Sequence, residues 1–114
     1  MKTKLPEKIR VGGFDIKIKE FDSYAAESRQ VNGEFSSLDL TMRIDVSMDI
    51  QKILDTFLHE LFHAIYYVYG VKDVDNEERT VEGLATGTMQ IYRDNPSFLR
   101  FVNEITEEMN GEVL

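Results

Sequence analysis

The pattern of apolar and polar positions divides the chain into two halves. Phe14, Ile16 and Ile18 alternate with Asp15, Lys17 and Lys19, the period of a half-buried strand. Ile9 and Val11 precede them across Gly12-Gly13, a dipeptide that favours a two-residue hairpin turn. Residues 20–32 are polar and irregular, and Asn32-Gly33 is a second turn signal. The longest alternation then runs through Leu38, Leu40, Met42, Ile44 and Val46, predicting the longest strand over 38–46.

At Ser47-Met48-Asp49 the period changes. Ile50, Ile53, Leu54, Phe57, Leu58, Leu61, Phe62 and Ile65 fall at helical spacing, predicting a helix that continues to about Tyr69 and ends on Gly70. Ser47 or Asp49 is its expected N-cap. A second helix is predicted from about Asp75-Asn76, with Glu77 and Glu78 in its first turn, to about Arg93. It stops before Asn95-Pro96. A third, capped by Ser97, carries the apolar stripe Phe98, Phe101, Val102, Ile105 and Met109. The expectation is one α+β domain over residues 1–114, a small antiparallel sheet followed by three helices.

Composition narrows what such a domain can do. A formal charge of −8, from 13 basic and 21 acidic side chains, argues against nucleic acid or an anionic membrane as partner. With no cysteine, disulfides and thiol catalysis are excluded, and any metal must be held by His, Asp or Glu. The charged N-terminus lacks the apolar run of a signal peptide, and no stretch reaches the roughly 18 apolar residues of a membrane span. A cytoplasmic setting is expected, whether the gene belongs to a cell or to a virus growing inside it.

Within the first helix stands His59-Glu60-Leu61-Phe62-His63. Histidines four apart lie one turn apart on the same helical face, so both imidazoles can reach one ion at about 2.0–2.1 Å. Glu60 is turned part of the way round the helix, placed to reach a water on the ion rather than the ion itself. A chance HExxH arises on the order of a few times per thousand chains of this size, so its occurrence mid-helix carries weight. The motif uses both histidines of the chain. The bland alternative, surface histidines on an amphipathic helix, is weakened because the pair borders the apolar stripe.

A third ligand must then be a carboxylate. Glu78 and Glu82, four apart on the second helix, share one face. One could bind metal while the other accepts the outer N–H of a liganding histidine. Glu82-Gly83-Leu84-Ala85 resembles a ligand motif of zinc aminopeptidases, whereas Glu78 with an acid one turn later resembles the gluzincin arrangement. The short linker after Gly70 favours Glu78, with Glu82 as the alternative. Gly83, Ala85, Thr86 and Gly87 would let the second helix approach the first. Tyr66, Tyr67 and Tyr69 read as packing or rim residues, although a tyrosine beside zinc can stabilise an oxyanion. Arg79 and Arg93 read as solvated helix charges.

The run Thr56-Phe-Leu-His-Glu-Leu-Phe-His-Ala-Ile65, then Glu77-Glu-Arg-Thr-Val-Glu-Gly-Leu-Ala-Thr-Gly87 and Arg93-Asp-Asn-Pro96, resembles the small HExxH metalloproteins of bacteriophages and prophages. These are similar to minimal gluzincins and, more distantly, to mobile-element peptidases that cleave repressors. The resemblance spans roughly residues 33–96 and implies a zincin-like fold in which an edge strand, here 38–46, precedes the metal helix. It implies zinc held by His59, His63 and an acid near Glu78, with Glu60 catalytic.

The leading expectation is therefore a zinc metallopeptidase acting on a peptide or protein laid along the 38–46 strand. A second is a catalytically silent zinc-binding phage protein acting in binding or assembly. A third is a helical interaction module whose HExxH is coincidence.

Overall fold

The computed structural model describes residues 3–21, 24, 30–70 and 77–111; at positions 77, 78 and 81 the description covers the backbone alone. Strands β1 (Lys8–Val11) and β2 (Phe14–Phe21) form the expected hairpin, with Ile9 opposite Ile16 and Val11 opposite Phe14. Ile9, Val11 and Ile16 are fully buried while Asp15, Lys17 and Lys19 face solvent. The alternation thus separates a core face from a wet face.

The second half of the sheet departs from the pattern. Residues 37–40 form a turn, and β4 is only Thr41–Asp45, so the longest strand is β2. Leu38 is 98% exposed and Leu40 sits at φ 52°, a left-handed conformation that interrupts a strand. Their alternation with Asp39 mimics a strand by composition alone. An additional strand, β3 (Gly33–Ser36), precedes the turn and pairs antiparallel with β4, Phe35 opposite Met42.

Strand order is β1-β2-β4-β3, and β2 runs parallel to β4 with Ile18 opposite Met42. The sheet is therefore mixed rather than wholly antiparallel, and β4, the part of the expected 38–46 strand that forms, is an inner strand and not an edge. Periodicity reports which side chains face the core but is blind to strand direction and order. Met42 and Ile44, both fully buried, have the environment of an inner strand.

Helices α1 (Ile50–Tyr69), α2 (Glu77–Asp94) and α3 (Pro96–Met109) complete the described fold. Asp49 caps α1 by accepting from the Gln51 N–H, and Gly70 ends it at φ 65° with its N–H donated to the Tyr66 carbonyl. Ser97 is not the cap of α3. That position falls to Asn95, followed by Pro96, and Asn95 makes no side-chain capping bond. Its side chain instead accepts from Arg10 N–H (2.7 Å) and donates to the carbonyls of Arg10 (2.8 Å) and Ile91 (3.0 Å).

The core lies between the sheet and the helices, where Ile53, Phe57, Leu61 and Ile65 of α1 meet Met42, Ile44 and Ile16. Phe57 stacks on Phe98 at 5.8 Å and tilts against Phe101 at 5.1 Å, joining α3 to the same core. A Cβ on Gly87 would stand 2.9 Å from Ile65 Cγ2 and 3.3 Å from the Tyr69 ring, so α2 approaches α1 closely there. Ala85 and Thr86, also expected at that contact, are exposed. No helix among the described residues is long and apolar enough to cross a membrane.

Candidate metal centre

Helix α1 carries the motif over the β3 end of the sheet. Its buried stripe differs from the expected one at two neighbouring positions: Phe62 is 46% exposed, while Glu60 is only 7% exposed. A carboxylate in a place where an apolar residue would be unremarkable is costly unless something pairs with it.

His59 and His63 project from successive turns, and their Nε2 atoms stand 3.2 Å apart with ring centroids at 4.8 Å. Two nitrogens each about 2.0–2.1 Å from a tetrahedral zinc would stand about 3.3–3.4 Å apart. The observed separation is therefore close to that of a chelating pair. Two ring nitrogens at this distance need a shared proton or a shared cation between them, because two lone pairs or two N–H groups would repel. Both rings are solvent-exposed, which leaves an ion free access.

Glu60 accepts no hydrogen bond among the described residues. Burial pushes its carboxyl above the ordinary value, the neighbouring His59 and His63 oppose that, and the charge of Glu34 reinforces it. The carboxylate opens onto a groove lined by Gly33, Glu34, Phe35, Ser37, Glu60, His63 and Tyr67. One bank is strand β3 and the other is α1.

The groove depends on Gly33. A Cβ there would lie 2.6 Å from Thr56 Cγ2, 3.2 Å from the Arg43 carbonyl and 3.3 Å from Glu60 Cγ. Only a residue without a side chain lets β3 pass so close to α1. In the sequence Asn32-Gly33 signals a turn; here the glycine opens a strand, and the Glu-Phe-Ser alternation after it was the available clue. Glu34 is held by Arg43, its cross-strand neighbour, at 3.4 Å, and Arg43 also reaches Asp39 at 3.6 Å.

Of the three tyrosines after the motif, Tyr67 lines the groove, its ring centroid 6.0 Å from that of Phe35. Tyr69 instead donates its hydroxyl to Gln90 Oε1 at 3.0 Å, binding α1 to α2. Tyr66 is half-buried and outside the groove lining.

The two candidate third ligands are placed differently. Glu78 lies in the first turn of α2, and its side chain is outside the described residues. Glu82 is exposed and lines another concavity, with Tyr69, Gly70, Arg79, Gly83 and Thr86. Among the described residues no third His, Asp or Glu joins the histidine pair as a ready metal cluster. The donor set nonetheless fits zinc as far as it goes: two imidazole nitrogens at chelating distance, with an unpaired carboxylate next to them.

No family model, curated protein or solved structure matches this chain. The functional reading therefore rests on the site itself.

Proposed function

We propose that this protein is a zinc-dependent hydrolase, and within that class a metallopeptidase. The observation that carries the reading is the His59–His63 nitrogen pair at 3.2 Å beside the Glu60 carboxylate, which opens onto the same groove as His63 and accepts no hydrogen bond among the described residues. His59 and His63 would hold the ion, with Glu78 as third protein ligand and Glu82 as the alternative. When bound, zinc lowers the pKa of a coordinated water to about 7 and polarises a substrate carbonyl. Glu60 takes the proton from water as it attacks and delivers it to the departing amine nitrogen.

A peptide substrate fits the β3 bank of the groove, since β3 is a sheet edge and its backbone can accept a further strand. This moves the docking strand from 38–46, which lies inside the sheet, to 33–36. The acidic balance of the chain supports a peptide over nucleic acid or membrane lipid, in a cytoplasmic setting. The residue runs that resemble the small phage HExxH proteins and minimal gluzincins add to the same reading.

The test is zinc content of protein purified after zinc supplementation, followed by mass spectrometry of a digested unstructured peptide pool. One equivalent of zinc and cleavage are expected for the wild type, zinc without cleavage for Glu60→Gln, and neither for His59→Ala. A wild type that retains no zinc, or Glu60→Gln that cleaves as well as the wild type, would falsify the mechanism. Zinc without cleavage by the wild type would leave the binding or assembly protein, a reading favoured only by the absence of a third ligand among the described side chains.

A further inference from the structure

The sheet edge beside the motif carries more information than a place to dock. The Asp45 N–H donates to the Asn32 carbonyl at 2.9 Å, which identifies 32/45 as a hydrogen-bonded pair of the β3–β4 ladder. Such pairs alternate along an antiparallel ladder, so Glu34 and Ser36 also turn their backbone groups towards β4. The N–H and C=O groups of Gly33 and Phe35 therefore point away from β4, along the outer edge of the sheet that the described residues form. The same two residues face α1: Gly33 is crowded by Thr56 and Glu60, and the Phe35 ring meets Tyr67.

A strand added to this edge puts its side chains in register with those of β3. The residue opposite Phe35 must point to the same face as Phe35, with Cβ atoms about 4.5–5.5 Å apart. It would then lie against the Phe35–Tyr67 pair. Tyr67 is 49% exposed and Phe35 half-buried, so both rings still have apolar surface to cover. Tyr67 is one helical turn beyond His63, which puts this contact next to the metal helix's working face. Glu60, which lines the same groove, disfavours an acidic side chain at that place.

We propose that Phe35 and Tyr67 form a side-chain-selecting subsite, and that the ligand is an extended peptide with a bulky apolar residue, aromatic or leucine-like, paired opposite Phe35. The inference rests on the proposed peptide-hydrolase reading for its ligand class, but selection and turnover are separate properties.

The test measures binding of blocked, fluorescently labelled octapeptides to zinc-loaded Glu60→Gln protein by anisotropy. The peptides are alanine-rich and differ at one position: Phe, Leu, Ala or Glu. Phe and Leu peptides are expected to bind at least about tenfold more tightly than Ala, the factor given by burying one large side chain. Glu should bind weakest. Adding Tyr67→Phe should keep the preference, whereas Tyr67→Ser, at a half-exposed position, should reduce it to about twofold or less with zinc content and circular dichroism unchanged. Phe35→Leu provides a second variant that keeps β3 packed while shrinking the aromatic surface, and should weaken Phe selectivity. Equal affinity for Phe and Ala peptides, no peptide binding at all, or a preference untouched by Tyr67→Ser overturns the subsite. Selective binding without wild-type cleavage would sink the hydrolase reading and leave the subsite standing. Cleavage with no preference for bulky apolar residues would do the reverse.

Discussion

Two regions of this molecule bury polar side chains to nearly the same depth and treat them in opposite ways. At the junction of β1, α2 and α3, Gln90 and Asn95 are 6% and 7% exposed, and both are fully engaged. Gln90 accepts from Gly12 N–H (2.7 Å) and the Tyr69 hydroxyl (3.0 Å), and donates to the Arg10 carbonyl (3.2 Å) and Asp94 (3.1 Å). Asn95 makes three bonds of its own, two of them to the backbone of Arg10. Beside the HExxH pair, Glu60 is 7% exposed and accepts no hydrogen bond among the described residues. The satisfied network contributes to stability and fastens β1; the Glu60 carboxylate, with no hydrogen-bond partner among the described residues, opens instead onto a solvent-accessible groove where chemistry can use it. The contrast marks the groove beside α1, rather than the β1 junction, as the place where chemistry can occur.

The sharpest way to break that contrast is to strip the metal ligands. His63→Ala or His59→Ala should weaken zinc binding on the order of 10²–10³-fold, since a complete site totals about 10–16 kcal/mol over four ligands. Because both rings are exposed, the metal-free variants should unfold within about 1–2 °C of the metal-free wild type. Competition with a chromophoric chelator and a thermal melt in chelator check the two halves. A large drop in metal-free stability would put the histidines on the structural side of the comparison.

The opposite region should respond in the opposite sense. Asn95→Ala removes three hydrogen bonds and leaves Arg10 N–H without its partner, for about 2–3 kcal/mol and a midpoint lower by roughly 10 °C. Zinc affinity should stay within about twofold, because Asn95 fastens β1 and not β3. Melting curves and chelator competition on the same sample decide it. Loss of zinc binding at intact fold would mean that the two regions are coupled.

A smaller effect is expected at Gly33, where β3 and α1 nearly touch. Gly33→Ala forces a methyl to within 2.6 Å of Thr56 Cγ2 and close to a backbone carbonyl, costing roughly 1–2 kcal/mol. Thr56→Ala in the same chain should recover most of the loss by removing the Cγ2 neighbour. If Gly33→Ala melts like the wild type, the close approach that shapes the groove is wrong.

Legibility from sequence follows the same divide. The β1–β2 hairpin, the bounds of α1 and the placement of His59 and His63 on one face depend on local rules of period, turn and cap, and all were readable. Glu60's burial and Phe62's exposure were not, because a helical wheel knows only one face and here β3 packs beside it. Strand β3 was hidden for a related reason: four residues opening on glycine read as a turn until the tertiary contact with Thr56 explains the glycine. The β2–β4 pairing, the left-handed Leu40 and the non-capping role of Asn95 are all settled by partners distant in the chain. Alternation at 38–40 was persuasive and wrong because an exposed Leu38 and a partly buried Leu40 on a turn satisfy the same pattern as buried residues on a strand.

The smallest expected effect is the subtlest test of the contrast, because the two regions each hold a carboxylate shifted in a different direction. Burial raises Glu60 above its ordinary 4.5, so the folded, metal-free protein binds a proton more readily than the unfolded chain. The associated stability is present below 4.5 and lost as pH rises through the raised value. Metal-free Glu60→Gln should therefore gain on the wild type as pH rises above 4.5, by less than about 1 kcal/mol because the groove admits solvent. Asp94 is held below its ordinary 3.8, chiefly by the Gln90 amide and then by Arg93. Its contribution is present above 3.8 and lost as pH falls through the lowered value, so Asp94→Asn should be the less stable variant at neutral pH and converge on the wild type in acid. Denaturant titrations of the three metal-free proteins at several pH values measure both slopes. Opposite signs would confirm that one carboxylate belongs to the architecture and the other is kept against it; equal signs would dissolve the distinction.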